Sequence, residues 1–298
     1  MAAAGRHAET GCWSCGWPAP AKLNLFLHIV GHRADGYHAL QTLFQFLDHG
    51  DALAFRVRAD GVIARVAGAA GVAADDDLAV RAARALQSAT GNGSGADLFV
   101  RKQIPTGGGL GGGSSDAATA LVALDHLWGT GLDTQELAAI GLKLGADVPV
   151  FVHGHAAWAE GVGEALEPVE PREPWYLVVV PPAEVSTAAL FAAPELTRDC
   201  PPMTMHDFLS RGGGNVFERP ARERYPEVAA ALDWLRAQGV TPRLSGTGAS
   251  AFGAFDNEAA ARAARARLPT GWHGFAARGR NRSRLATRMA ALAEQQER

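Results

Sequence analysis

Between positions 107 and 115 the chain runs Gly-Gly-Gly-Leu-Gly-Gly-Gly-Ser-Ser. A glycine inside a helix or strand costs roughly 0.5–1 kcal/mol relative to alanine, so a run this dense must be a loop. Beyond it, Ala117, Ala120, Leu121, Leu124 and Leu127 recur at helical spacing. That pattern predicts an amphipathic helix from Asp116 onward, with Ser114, Ser115 or Asp116 as its cap. Ahead of it, Leu98-Phe99-Val100 and the segment Lys102 to Pro105 read as a strand ended by a proline. Strand, glycine loop and helix is the order in which bare backbone N–H groups and a helix N-terminus surround an anion, most commonly phosphate. A flexible Gly/Ser linker needs neither the strand nor the helix.

The 298 residues allow one large or two ordinary domains. A hydrophobic share of 47%, a charged share of 20% and a formal net charge of −3 describe a globular chain without a general basic field for nucleic acid. No apolar run reaches the roughly 18 residues of a membrane span. The first residues lack a basic segment followed by an apolar one, so no signal peptide and no membrane partner are expected. Three cysteines, Cys12, Cys15 and Cys200, make no disulfide framework, and a cytoplasmic setting follows. Cys12 and Cys15 form a C-x-x-C pair. It lacks the flanking strand and helix of a redox motif and the second knuckle of a zinc site, so it reads as incidental, on a loosely ordered extension over residues 1–17.

Order is expected from Pro18. Lys22 to Val30 alternates, with Leu23, Leu25, Leu27 and Ile29 on one face and Lys22, Asn24, Phe26 and His28 on the other. Arg33 to His38 contains the turn signal Asp35-Gly36 and holds Tyr37 and His38 at a hairpin mouth, where an aromatic face beside an imidazole suits a flat heterocycle. Strands follow at Leu40 to Leu47 and Leu53 to Val57, separated by Asp48-His49-Gly50-Asp51. Asp77 caps a helix over Leu78 to Leu86, and Asp133 with Glu136 forms a capping box. Asp147 lies at a helix exit before Pro149, where it either caps the next element or serves chemistry. The proline-spaced stretch Pro168 to Pro174 marks a boundary between domains at 18–167 and 168–298. Beyond it come a buried strand at Trp175 to Val180, a short helix capped by Ser186 or Thr187, a helix from Pro226, and a second small-residue loop, Gly246-Thr247-Gly248-Ala249-Ser250. Arg280 to Arg298 reads as a charged, solvated tail.

The glycine run lacks the lysine of the P-loop NTPase pattern. It does satisfy the dinucleotide fingerprint G-x-G-x-x-G, as any dense glycine run would, but Asp133 sits at a helix cap instead of at the end of a second parallel strand. His32-Arg33-Ala34-Asp35 mimics a protein-kinase catalytic loop yet precedes the glycine loop. Loop spacing alone leaves dinucleotide binder and kinase both open.

The segments at 20–27, 34–48, 104–118, 144–164 and 244–255 together resemble those of the galactokinase, homoserine, mevalonate and phosphomevalonate (GHMP) kinase superfamily, in register from Pro18 to Phe275. Within it they are most similar to members whose acceptor alcohol carries cytidine diphosphate. The resemblance implies an α+β fold of two domains, ribosomal-protein-S5-like and then ferredoxin-like, with ATP and Mg²⁺ used in the cleft between them. It places Lys22 and Asp147 at the catalytic positions. Lys102, Pro105, Thr106, Gly107, Gly108, Gly109, Leu110, Gly111, Gly112, Gly113, Ser114 and Ser115 would hold ATP, with Ser115 the hydroxyl nearest Mg²⁺. Asn24, Tyr37, His38, Thr187 and Phe191 would hold the cytidine substrate, its base between the Tyr37 and Phe191 rings, and Gly246, Thr247 and Gly248 would close the phosphate region. Asp77 and Asp116 stand where many members carry asparagine. The expected assembly is a monomer or weak homodimer.

Overall fold

The computed structural model describes residues 11–32 and 38–296. Tyr37, the Asp35-Gly36 turn and the first part of the predicted extension lie outside them. The first half contains β1 (Trp13–His32), β2 (His38–Arg58), β3 (Ile63–Ala67), α1 (Leu78–Thr90), β4 (Gly95–Arg101), α2 (Gly112–Trp128), α3 (Thr134–Leu142), α4 (Val148–His153), β5 (Ala157–Glu160) and β6 (Ala165–Pro168). The second contains β7 (Trp175–Val180), α5 (Thr187–Phe191), α6 (Met205–Arg211), α7 (Glu218–Arg224), α8 (Pro226–Ala237), β8 (Arg243–Leu244), β9 (Ala251–Phe255), α9 (Glu258–Arg265), β10 (His273–Arg280) and α10 (Arg284–Gln296).

The long strands β1 and β2 pair antiparallel from Trp13 opposite Arg56 to His32 opposite His38. Two expectations change here. Ordered strand begins at Trp13, ahead of Pro18, so Cys15 lies within β1 and is exposed. The segments 40–47 and 53–57 are one strand, because Asp48 to Asp51 does not turn. Gly50 lies against β1 so closely that a Cβ there would stand 2.3 Å from the Ala19 carbonyl oxygen. The missing side chain allows close backbone approach where the register slips between Pro20 and Lys22.

The sheet runs β3-β4-β2-β10-β7-β9-β8, with β1 and β5 also paired to β2. It crosses from one half to the other where Gly279 and Arg280 of β10 pair with Leu47 and Phe46 of β2. One core packs Phe44, Phe46 and Phe55 under α1, α2 and α4, and another packs Leu177 and Val179 against Val228, Leu232 and Leu235 of α8. A third, containing Leu23, Phe26, Tyr176 and Phe252, fills the space between the halves.

The capping signals at Asp77, Asp133 with Glu136, and Ser186 are all made. The glycine loop and the C-terminus depart from expectation. Helix α2 starts at Gly112, inside the glycine run, and its N-cap Gly111 has φ 73°, a left-handed conformation costly for any residue with a Cβ. The C-terminal segment is not a solvated tail. Leu285 of α10 is buried in the first half's core, Met289 and Leu292 pack on it, and the Arg288 guanidinium lies 4.3 Å from the Trp17 ring.

Candidate active site

Lys22 occupies a stretch of β1 covered on both faces, and its side chain is only 4% exposed. Its N–H donates to the Leu110 carbonyl at 3.0 Å, which ties the strand to the glycine loop. Its ammonium donates to Asn24 Oδ1 at 2.5 Å, faces Asp147 Oδ2 at 3.1 Å and lies 5.2 Å from the Phe44 ring centroid. The Asn24 amide is itself fixed. The Thr42 hydroxyl spends its proton on the Phe26 carbonyl, so its oxygen can only accept, and Asn24 Nδ2 donates to it at 2.9 Å. Asn24 therefore turns its oxygen toward the ammonium. Asp147 sits at the N-cap position of α4, but its carboxylate makes no capping bond. Capping does not explain this aspartate. Its side chain is 35% exposed and is directed at the one buried ammonium beside it.

With no side-chain cap at Gly111, the first N–H groups of α2 have no partner within the helix. Gly112, Gly113 and Ser114 line a cavity of about 360 Å³ with the rest of the loop. The loop is held in place by the second small-residue loop. Ser245 Oγ donates to the Gly109 carbonyl at 2.9 Å, and the Ser250 N–H donates to the Gly108 carbonyl at 3.2 Å. A Cβ on Gly109 would stand 2.1 Å from the Ser245 carbonyl oxygen, so this contact requires glycine.

Lys102 forms one wall of the same cavity, its ammonium held between Asp51 Oδ2 at 2.5 Å and Asp116 Oδ2 at 2.6 Å. Burial, together with the charges of Asp51 and Asp77, pushes the Asp116 carboxyl up to about 8 against the pull of Lys102. Burial also opposes the Lys102 charge, but the two carboxylates outweigh it and hold that pKa above its usual value. Ser115 lies under the first turn of α2, off the cavity wall, fully buried, and its Oγ has no protein partner among the described residues. No group of three His, Cys, Asp or Glu side chains among the described residues is placed to hold a metal ion.

At the other end of the site, Phe191 of α5 stacks on His38, with ring centroids 5.3 Å apart and 13° between planes. Burial, then the charges of His32 and Arg198, lower the His38 pKa, and its buried Nδ1 has no partner among the described residues. Thr187 Oγ1 lies 2.9 Å from Thr247 Oγ1. The loop 245–250 thus touches the glycine loop, Asn24 and α5 alike. Arg198 donates to the carbonyls of Phe191, Ala193 and Leu196 at 2.7, 2.9 and 3.0 Å, closing the end of α5.

The structure therefore brings together Lys22, Asn24, Asp147, the glycine loop and Gly246 to Gly248, and separately pairs His38 with Phe191. Sequence reasoning missed Asp51, Thr42, Ser245 and Arg198. Asp51 looked like turn chemistry, and the other three carry no signal outside the fold.

Residues 77–155 match the GHMP kinases N terminal domain, and residues 203–274 the GHMP kinases C terminal domain. A 4-diphosphocytidyl-2-C-methyl-D-erythritol kinase of Nitrosococcus oceani is 58% identical over 269 residues, covering 90% of this chain and 96% of its own. The chain belongs to the 4-diphosphocytidyl-2-C-methyl-D-erythritol kinase family of GHMP kinases. A crystal structure of a 4-(cytidine 5'-diphospho)-2C-methyl-D-erythritol kinase superposes with TM-score 0.76 at 33% identity, covering 90% of this chain and 99% of that one. The Methanococcus jannaschii mevalonate kinase superposes with TM-score 0.65 at 15% identity, covering 92% of this chain and 99% of its own, a likeness of fold alone. As a GHMP kinase the chain uses ATP and transfers phosphoryl to an alcohol, on the two-domain α+β fold that the sequence resemblance implied.

Proposed function

We infer that this kinase transfers the γ-phosphoryl group of ATP to the 2-hydroxyl of 4-diphosphocytidyl-2-C-methyl-D-erythritol, a step of the non-mevalonate route to isoprenoid precursors. The observation that carries the reading is the Lys22–Asp147 pair at 3.1 Å, beside a loop whose helix N-terminus is uncapped by any side chain.

Phosphoryl transfer asks a protein mainly for alignment and charge stabilisation. N–H groups of the glycine loop and the start of α2 hold the β- and γ-phosphates. Asp147 accepts the proton of the attacking hydroxyl, and Lys22 meets the charge that develops on the phosphoryl oxygens. Asn24 fixes the ammonium between them. His38, Tyr37 and Phe191 read the cytosine, and the paired hydroxyls of Thr187 and Thr247 offer the diphosphate hydrogen bonds from one side. Mg²⁺ bound with the nucleotide would supply charge neutralisation on its phosphates. Ser115 Oγ, unpartnered among the described residues, is a hard oxygen of the kind Mg²⁺ takes, but it stands behind the first turn of α2 and not on the cavity wall, so the nucleotide phosphates would supply most of the ligands. The reading carries with it a cytoplasmic enzyme acting as a monomer or weak homodimer.

A coupled ADP-release assay across acceptors tests the assignment. ADP should appear with 4-diphosphocytidyl-2-C-methyl-D-erythritol and not with mevalonate, homoserine or galactose. Equal turnover of any of the last three, or tight NAD(P) binding with no response to ATP, would overturn it.

A further inference from the structure

Beside the seam where β10 joins β2 lies a second cavity, of about 810 Å³, that shares no residue with the site above. Arg280, Arg282, Arg284 and Arg288 line it, against two carboxylates, Asp48 and Glu173. Those carboxylates are already engaged. Asp48 Oδ1 accepts from the Arg278 N–H at 2.8 Å, and Glu173 Oε1 from the Asn281 N–H at 2.7 Å. What they offer the cavity arginines is loose, 3.6 Å from Glu173 to Arg280 and 4.0 Å from Asp48 to Arg280. Among the described residues Arg282 and Arg284 reach only backbone carbonyls, at 3.5 and 3.3 Å. Arg288 holds the Gly16 carbonyl at 3.1 Å, while its buried Nε has no partner among the described residues.

Four forked donors therefore surround one space with an excess of two positive charges. Their backbone is rigidly seated. The Ser283 N–H donates to the Gly154 carbonyl at 2.9 Å, Asn281 Nδ2 to the Pro171 carbonyl at 2.7 Å, and Leu285 is buried. An arginine fork matches phosphate oxygens in a bidentate manner. We propose that this cavity binds an anion of two or more linked phosphates, a free diphosphate or the diphosphate end of an ester. A single phosphate has too few oxygens to take a bidentate fork from each of four guanidinium groups. The bound anion would join α10 and β10 to the β1–β2 ribbon.

Calorimetric titration with inorganic pyrophosphate tests this. The glycine loop is a second possible receptor, so Arg282→Glu/Arg284→Glu is compared with the charge-matched control Arg219→Glu/Arg262→Glu, all four residues being exposed or half-exposed at the surface. The wild type and the control should show a binding event that weakens about tenfold or more in Arg282→Glu/Arg284→Glu. Kinase activity should be unchanged in that variant. Asp48→Asn removes a competing negative charge and should tighten the same event, a gain that misfolding cannot mimic. The same titration with an alkyl diphosphate separates free from esterified diphosphate by which binds tighter. Equal weakening in both double variants would mean diffuse attraction only, and would overturn the proposal, as would an Asp48→Asn variant that binds no tighter.

Discussion

Lys22 and Asp147 meet at 3.1 Å although one belongs to a strand buried on both faces and the other is the half-exposed residue ahead of a buried helix. The carboxylate is thus open to an incoming hydroxyl, while the ammonium is held by Asn24 and the Phe44 ring. Asp147→Asn keeps the shape and loses the proton acceptor. Turnover should fall by roughly 10²–10⁴, the range for a positioned base, with little change in KM for either substrate. Steady-state ADP release together with a circular dichroism spectrum checks this, and near-native turnover would remove Asp147 from the role.

The Gly109 contact with Ser245 makes a second expectation. Gly109→Ala places a Cβ in a left-handed conformation, at φ 73°, and against a carbonyl oxygen. The conformation alone costs about 1–2 kcal/mol. The two small-residue loops should part, raising KM for ATP and lowering the urea midpoint together. A change in stability with unaltered ATP affinity would mean that the contact does not shape the nucleotide site.

Arg198 acts at one remove, through the carbonyls that end α5. Arg198→Ala should let the Phe191 ring drift from His38 and raise KM for the cytidine substrate about tenfold, the scale of one lost charge-assisted hydrogen bond, leaving KM for ATP unmoved. Arg198→Lys should recover only part of the loss, because a single ammonium cannot span three carbonyls. Equal effects on both substrates would point to general loosening of the second half.

Asp116 gives a pH signature. Its carboxyl rises from an ordinary 3.8 to about 8, so between those values the folded chain holds a proton that the unfolded chain has released. Stability from this group is full at the acid end and is lost as pH rises through about 8. In Asp116→Asn that loss should vanish, so thermal melts at pH 6 and pH 9 should differ less in the variant than in the wild type. Parallel pH dependence in both proteins would contradict the assignment.

Much of the site is legible in sequence because its chemistry is local. A glycine run, alternation that puts Lys22 and Asn24 side by side, and capping pairs at Asp77 and Asp133 all act over a few residues. What escapes is long-range. Asp48-His49-Gly50-Asp51 carries every mark of a turn, and only the approach of Ala19 and Pro20 explains why Gly50 stays extended. Asp51 consequently becomes a buried partner of Lys102, which no spacing rule anticipates. The glycine run hides its own helix start, since α2 uses Gly112 and Gly113 at its first turn where propensity argues against them. The charged C-terminal segment misleads for another reason. Arg288 covers Trp17 with its flat guanidinium, so a residue counted as solvent-seeking is part of the packing.

The return of α10 to the first half's core ties the two ends of the chain together in time as well as in space. Synthesis delivers β1 and β2 first and Leu285, Met289 and Leu292 almost last, so a nascent first half leaves the ribosome with an apolar surface still open. That surface is covered only when α10 packs onto it. A chain that stops short of α10 contains Lys22, Asp147 and the glycine loop and still lacks the piece that closes the core behind them.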